Sequence, residues 1–258
     1  MSLSATRVSL DIGDSTLLDN VTMHITPGQV SVVAGPNGAG KSTLLRVLSG
    51  DLNPTAGDVT LNGDPLSAVS DREQAKSRAV MTQTSPMVFD YTVAEVLRMG
   101  WVGSDIWDAD AEAMLNEVVT QCDVRRFLDR RINTLSGGEQ QRIHFARAQL
   151  QIAGPNQYRP RYLLLDEPTS NLDLAQELRL LSHVRRLATS GLGVLMVLHD
   201  LNLAARFADE IHLLSNGQIV ESGCPASVLR PDPLEAIYQT PVVVEYHDQL
   251  QRLVVLTR

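Results

Sequence analysis

The chain of 258 residues has few aromatic residues, two cysteines and no long apolar segment. Cys122 and Cys224 lack metal-type spacing, so they predict no disulfide framework and indicate a reducing compartment. No stretch approaches the roughly 20 apolar residues that span a bilayer, and the N-terminus lacks the basic start and apolar core of a secretory signal. These absences favour a cytosolic chain that reaches a membrane only through partners.

Basic residues are also in deficit. The chain has 22 Lys and Arg against 30 Asp and Glu, which gives a net charge of −8. An acidic chain is poorly suited to a phosphate backbone, so we expect no nucleic-acid partner. The length allows one large α/β unit with an inserted subdomain.

A phosphate-binding loop is predicted at residues 35–42, which fit the pattern G-x-x-x-x-G-K-[ST]. The β-branched run Val30–Ala34 predicts a buried strand before the loop, and Thr43–Leu48 predicts a helix after it. In such a loop, backbone amides and the helix N-terminus bind phosphate. Lys41 is expected to reach the β- and γ-phosphates, and the Ser42 hydroxyl to bind Mg²⁺. The candidate nucleotide-binding residues are Gly35, Pro36, Asn37, Gly38, Ala39, Gly40, Lys41, Ser42 and Thr43.

Two carboxylates follow another apolar run, Tyr162–Leu165. A buried strand here places Asp166 beside the phosphate loop, where it would hold Mg²⁺ directly or through water. Glu167 is then placed to orient and deprotonate the attacking water. The alternative is a strand that merely ends in solvated acids.

The segment Leu135–Arg142 predicts a helix start, because Ser136 is a good N-cap and Glu139 has capping-box spacing. It is either simply a well-capped helix or a second anion site made of bare amides, a hydroxyl and the helix dipole. The candidate residues of that second site are Ser136, Gly137, Gly138 and Glu139. Two phosphate-binding surfaces on one chain suggest that two copies share each nucleotide.

With these motifs the chain resembles the nucleotide-binding subunits of ATP-binding-cassette (ABC) transporters over nearly all its length. The resemblance implies an α/β fold with a P-loop NTPase (RecA-like) core of ABC ATPase type, an N-terminal antiparallel β subdomain and an inserted α-helical subdomain. It implies ATP and Mg²⁺ as cofactors. It also implies a homodimer of this chain, in which residues 135–142 form the signature motif that contacts the partner's ATP.

Three further residues receive roles from the resemblance alone. Gln83 corresponds to the Q-loop glutamine, which touches Mg²⁺ or water and senses the permease. Asp173 belongs to the D-loop at the dimer interface, and His199 is the switch histidine that contacts the γ-phosphate. The expected catalytic residues are Glu167, His199 and Gln83, and the expected Mg²⁺ site consists of Ser42, Gln83 and Asp166.

A single nucleotide-binding domain is expected over residues 1–258. Its catalytic α/β core would comprise residues 1–85 and 151–240, its helical signature subdomain residues 86–150, and its C-terminal β extension residues 241–258. Helices are predicted at Thr92–Met99 and Ala109–Gln121, and two strands in the tail. The residues predicted to form one buried helical face are Leu174, Leu178, Leu181, Val184 and Leu187.

The resemblance further implies a peripheral subunit on the cytoplasmic face of the inner membrane. It would energise an integral-membrane permease dimer, and a periplasmic or surface substrate-binding protein would complete the importer. The expected permease-facing residues lie between Gln83 and Trp107, and they include Met87, Val88, Phe89, Tyr91, Met99 and Trp101.

The cargo is inferred from the similarity of particular sequence segments to importers of known cargo. Residues 89–100 and 198–206 are similar to importers of ferric siderophores, cobalamin and haem, and residues 138–142 and 153–170 are most similar to haemin-importer ATPases. We expect haem uptake, with a ferric siderophore or cobalamin as the alternative and a non-transport ABC ATPase less favoured. No direct haem binding is expected, because a cassette need never touch the cargo.

One position departs from the family pattern. Members commonly place an aromatic residue under the adenine, at or near Ile12 here, but the first aromatic residue of this chain is Phe89. Adenine is therefore expected to rest on an aliphatic surface formed by Ile12 with Leu17 or Val21, which predicts weaker and less selective binding of the base.

The substitution Ile12→Tyr is expected to tighten ATP binding by about 2- to 10-fold, because aromatic stacking contributes roughly 0.5–1.5 kcal/mol beyond burial. Titration with a fluorescent ATP analogue, and competition by ATP, measures the change. Indistinguishable affinities of the variant and the unmodified protein would contradict the prediction.

Overall fold

The computed structural model describes residues 1–83, 89–104, 106–154 and 159–257. In these residues the strands form an antiparallel sheet, a mainly parallel sheet and a C-terminal hairpin. The strands are β1 (Leu3–Ile12), β2 (Ser15–Ile25), β3 (Val30–Ala34), β4 (Ala56–Leu61), β5 (Asp64–Pro65), β6 (Arg78–Met81), β7 (Tyr162–Asp166), β8 (Gly193–Val197), β9 (Glu210–Ser215), β10 (Gln218–Gly223), β11 (Val242–His247) and β12 (Arg252–Thr257). The α-helices are α1 (Lys41–Leu48), α2 (Asp71–Ser77), α3 (Val93–Arg98), α4 (Ala109–Gln121), α5 (Gly137–Ala153), α6 (Leu174–Thr189), α7 (Leu201–Phe207), α8 (Pro225–Val228) and α9 (Pro231–Tyr238).

The larger sheet has the strand order β10-β9-β3-β8-β7-β6. All its neighbouring strands are parallel except β10, which pairs with β9 antiparallel. Every residue of β3, β7 and β8 is buried. Such strands are nearly continuous apolar runs because helices cover both faces of a parallel sheet. The carboxyl ends of these three strands therefore open at one edge.

The smaller sheet has the order β2-β1-β4-β5 and is antiparallel. It shares a second hydrophobic cluster with α1 and with the inner residues Val33, Tyr162, Leu164 and Leu195 of the parallel sheet. The Tyr162 hydroxyl is bonded to Asn62 Oδ1 at 2.7 Å. The two sheets therefore enclose α1, which begins at the phosphate loop.

The helices between β6 and β7 confirm the predictions for this part of the chain. Each begins at a residue whose side chain accepts a backbone N–H, namely Thr92, Asp108 and Ser136. Helix α5 packs against α3 and α4, and also against β6 and β7 of the parallel sheet. It therefore connects the helical segment directly to the strands that carry the candidate site.

One expectation needs correction, one helix was not predicted, and some residues named in the predictions lie outside the described part of the chain. Leu174 is 71% exposed, because it is the first residue of α6 and projects beyond the core, so it does not belong to the buried face. Helix α2 was not anticipated, although Ser70 caps it and Glu73 lies at capping-box spacing. Met87, Val88 and residues 155–158 lie outside the described part of the chain. No helix of the described residues combines the length and apolar character needed to cross a bilayer.

Gly35 makes the closest approach between the phosphate loop and the sheet. Its φ is +153°, and a Cβ atom there would lie 2.0 Å from the backbone oxygen of Leu214 in β9. Gly38 also has a positive φ, of +79°, but a Cβ atom there would meet nothing within 4 Å. A side chain at Gly38 would therefore cause backbone strain alone, whereas a side chain at Gly35 would add steric overlap with β9.

Gly38→Ala is expected to lower the free energy of unfolding by about 1–2 kcal/mol, the usual cost of a side chain at positive φ. Gly35→Ala is expected to cost more, because the new methyl group must displace either the loop or β9. Urea unfolding of both variants without nucleotide measures the difference, and equal losses would contradict the close approach.

Candidate functional site

A cavity of about 550 Å³ opens at the carboxyl edge of the parallel sheet. Its lining combines the phosphate loop and the start of α1 with residues from β2, the end of β7, the end of β8 and the β9–β10 turn. The lining residues are Thr16, Leu17, Asn37, Gly38, Gly40, Lys41, Ser42, Thr43, Glu167, His199, Asn216 and Gly217. The described topology therefore brings Lys41, Glu167 and His199, which are far apart in sequence, into one space.

The phosphate loop is closed by its own lysine. Lys41 Nζ donates to the backbone oxygens of Gly35 at 2.9 Å and Pro36 at 2.8 Å. Burial lowers the Lys41 pKa, although the carboxylates of Glu167 and Asp166 oppose that shift. Ala39 donates its amide to Pro36 O and accepts from the Gly217 amide, so the β9–β10 turn braces the loop. The ammonium group is thus held at the position from which it would reach a bound phosphate.

The oxygen donors for a cation lie beside the loop. Ser42 Oγ donates to Asp166 Oδ1 at 3.1 Å, and Asp166 is 5% exposed. Burial raises the Asp166 pKa, and the nearby Glu167 adds to that shift against the effects of Ser42 and Lys41. A hydroxyl beside a carboxylate is a donor set of the kind Mg²⁺ prefers. The residues therefore fit the predicted metal.

Glu167 lies at the centre of the site and is held by two side chains from other loops. Gln83 Nε2 donates to Glu167 Oε2 at 2.7 Å, and His199 Nε2 lies 2.5 Å from Glu167 Oε1. Gln83 follows β6, Glu167 follows β7 and His199 follows β8, whereas Asp200 caps α7 immediately afterwards. Parallel pairing of these strands is the reason that the three predicted catalytic side chains meet.

The signature residues do not line this cavity. Ser136 and Glu139 form the predicted capping box, in which Glu139 N donates to Ser136 Oγ and Ser136 N donates to Glu139 Oε2. These hydrogen bonds, foremost that from the Ser136 amide, lower the Glu139 pKa. Ser136 and Gly137 are exposed, and Asp173 caps α6 close by. The residues predicted to form a second anion site thus lie at the surface, outside the cavity of their own chain.

The remaining end of the cavity is lined by Thr16, Leu17, Asn216 and Gly217. Leu17 was anticipated there, but Val21 is fully buried in the core, so its predicted contact with adenine is wrong. Ile12 is 54% exposed and is not among the lining residues; its contact with the base stays a prediction. Asn216 and Gly217 were missed, although an Asn-Gly pair between two apolar runs is a strong hairpin signal.

A family model, related sequences and solved structures all match this chain to ABC transporter proteins. The sequence model of the ABC transporter family matches residues 18–170. The chain is 44% identical over 244 residues to the hemin import ATP-binding protein HmuV of Rhodopseudomonas palustris (strain BisB5), which covers 94% of this chain and 92% of that protein.

Two solved structures share the fold. One, the ATP-binding subunit of an ABC transporter, has a TM-score of 0.80 at 24% identity and covers 93% of this chain and 98% of its own. The other, a dimeric bacterial ABC transporter cassette, has a TM-score of 0.74 at 26% identity and covers 86% of this chain and 98% of its own. These similarities confirm the predicted fold class.

Ser42→Ala is expected to raise the Mg²⁺ concentration for half-maximal ATP hydrolysis by about tenfold, since it removes one oxygen ligand beside Asp166. Ser42→Thr is the matched control, because it retains a hydroxyl and satisfies the same motif. Mg²⁺ titrations of hydrolysis at saturating ATP compare the variants. An unchanged Mg²⁺ requirement in Ser42→Ala would show that the hydroxyl is not a ligand.

Proposed function

The chain belongs to the family of ABC transporter ATP-binding proteins, and from this premise we propose that it binds and hydrolyses MgATP as a homodimer to drive haem uptake through a separate permease. The convergence of the phosphate loop, Glu167 and His199 at one cavity, with Asp166 bonded to Ser42 beside it, carries the ATPase part of the proposal. The hemin import relatives support the cargo.

Each side chain has a distinct proposed task in hydrolysis. Lys41 exchanges its two backbone carbonyls for phosphate oxygens, and Ser42 and Asp166, with Gln83, hold the cation. Mg²⁺, when bound, offsets the phosphate charge that develops during transfer. Glu167 orients and deprotonates the water, and His199 holds the Glu167 carboxylate and the γ-phosphate in register.

The homodimer is supported by the position of the signature residues. Ser136 and Gly137 lie exposed on the outer surface at the N-terminus of α5, outside the cavity of their own chain, so a phosphate that reaches them would come from another molecule. Leu174, next to Asp173, is 71% exposed, as expected of an apolar residue at a contact between copies. One similar structure is a dimeric cassette. In the proposed dimer, each ATP lies between the phosphate loop of one copy and the signature of the other.

A permease surface is proposed around Gln83 and the helical segment. Phe89, Met99 and Ile106 are 66%, 48% and 74% exposed, and Trp101 packs edge-to-face against Trp107 at 6.1 Å. Exposed apolar residues of this kind mark partner surfaces. We place the chain at the cytoplasmic face of the inner membrane, bound to a permease dimer that a substrate-binding protein supplies.

We propose that the chain is one nucleotide-binding domain divided into three parts. Residues 1–85 and 151–240 form the catalytic core, residues 86–150 the signature subdomain and residues 241–258 the β extension.

A ferric siderophore or cobalamin is the second candidate cargo, favoured only by the similarity of residues 89–100 and 198–206 to importers of those compounds.

Glu167→Gln is expected to reduce ATP turnover by roughly a hundredfold or more, because an amide cannot accept the proton of the attacking water. ATP binding should persist, since the phosphate loop is unchanged, and the dimer should stay closed around ATP. Phosphate release and size-exclusion chromatography with ATP measure both effects. Normal hydrolysis in this variant would overturn the role of Glu167.

The cargo is tested by growth of iron-starved cells that lack this chain. Growth on haem should be lost, and the unmodified chain should restore it whereas Glu167→Gln should not. Growth on ferric siderophores and use of cobalamin serve as controls and should be intact. Unimpaired growth on haem, in cells without another haem importer, would leave the ATPase standing and move the cargo to the second candidate.

A further inference from the structure

Gln141 connects the signature helix to the turn that carries Glu167. It lies on α5, its side chain is 5% exposed, and its Nε2 donates to the backbone oxygen of Glu167 at 3.0 Å. A buried amide must be bonded, and this bond fixes both its direction and its partner. The proposed hydrolysis mechanism above assigns Gln141 no role.

The backbone of Glu167 needs such a partner. Glu167 has a φ of +47°, a left-handed conformation that is unfavourable for any residue but glycine and persists only where neighbouring contacts hold it. The same backbone oxygen also accepts from the Ser170 amide at 3.3 Å. Gln141 thus supplies, from outside the turn, a hydrogen bond that holds the turn in this conformation.

The carboxylate of Glu167 has different partners. Gln83 and His199 bind its two oxygens, whereas Gln141 binds the main chain from which the side chain extends. The direction in which the carboxylate enters the cavity is therefore set by Gln141 and Ser170. Gln83 and His199 then hold its two oxygens at the end of that side chain.

Helix α5 also contacts the D-loop at its N-terminus. A Cβ atom on Gly138 would lie 2.6 Å from the backbone oxygen of Asn171, so the helix start and the D-loop touch without a side chain between them. The capped N-terminus at Ser136 and the amide of Gln141 belong to one rigid element. Any displacement of the signature therefore reaches the turn at Glu167.

We infer that Gln141 is a positioning residue that couples the two ATP sites of the dimer: it ties the Glu167 carboxylate of one site to the helix whose N-terminus contacts the nucleotide of the other. This inference rests on the proposed roles of Glu167 and of residues 136–139. A hydrogen bond tolerates only a few tenths of an ångström of stretch, and a 1 Å misplacement of a catalytic group can cost about a hundredfold in rate. Closure on one nucleotide would thus align the general base at the other.

The test replaces Gln141 by methionine, which keeps the length of the side chain and removes the donor. Gln141→Met is expected to lower kcat by about 10- to 100-fold, to leave KM for ATP within about twofold because the phosphate loop is intact, and to bring the Hill coefficient of hydrolysis toward 1. Gln151→Met is the matched control. Gln151 lies on the same helix and donates its amide to Ala75 O and Arg78 O at 2.9 and 3.0 Å, away from the cavity.

A second variant uses protonation as a switch. The carboxyl group introduced by Gln141→Glu donates to the Glu167 oxygen when protonated and repels that oxygen when ionised. Burial favours the protonated form. The kcat of Gln141→Glu relative to the unmodified protein is therefore expected to rise as the pH falls from 8 to 6, whereas the ratio for Gln141→Met stays flat. If Gln141→Met folds poorly, the pH dependence of kcat in Gln141→Glu tests the positioning role of Gln141 in its place.

The outcomes separate this inference from the proposed function. Equal kcat losses in Gln141→Met and Gln151→Met, in step with equal losses of thermal stability, would reduce Gln141 to a structural role. Unchanged kcat in Gln141→Met, with turnover abolished in Glu167→Gln, would overturn the coupling alone. Normal turnover in Glu167→Gln would remove the base and the coupling together.

Discussion

The parallel pairing of β3, β7 and β8 is the constraint on which the site depends. Parallel strands end at the same edge of a sheet, so the residues that follow them meet whatever their separation in sequence. Lys41 comes after β3, Asp166 ends β7 with Glu167 directly after it, and His199 comes after β8. A shift of one residue in the β7–β8 register would move Asp166 off the Ser42 hydroxyl and turn Glu167 to the other face of the sheet. The buried apolar residues of the three strands fix that register, and with it the distances in the cavity.

Helix α5 extends this constraint from the sheet to the outer surface. It packs against β6 and β7, so it follows the strands that end near Gln83 and Glu167. Its N-terminus nevertheless lies at the outer surface, where Ser136 and Gly137 are exposed and the helix dipole favours an anion. Because α5 is one continuous helix, a displacement of its N-terminus would also displace the part that packs against β6 and β7. The proposed dimer and the proposed coupling through Gln141 thus both rest on one packing arrangement.

The sequence predicted the elements whose signals are local and missed the contacts that depend on tertiary packing. The continuous β-branched run of β3, the helical segments of α3 and α4 and the Ser136 cap of α5 are short-range features, and the structure has them where they were expected. Leu174 matched the helical period but lies at a helix start, where periodicity carries no information about depth. Gln141 shares its helix with several other polar residues, and only the approach of the Glu167 turn distinguishes it. Asn216 lies close to the phosphate loop because β9 pairs with β3, a partnership the periodicity does not reveal.

The charges around the cavity are a further argument for the proposed dimer, in which two copies complete each ATP site. Among the described residues at its phosphate end, Lys41 is one cation, whereas Asp166 and Glu167 are two anions. A triphosphate entering this space meets carboxylates that repel it, and the backbone amides of the loop supply only partial positive charge. A divalent cation at Ser42 and Asp166 reverses the local balance. The helix N-terminus at the partner's signature adds positive potential on the open side. In the proposed dimer, tight ATP binding and closure of the two copies would therefore be one event, because the charge of the ligand would be neutralised only when both have occurred.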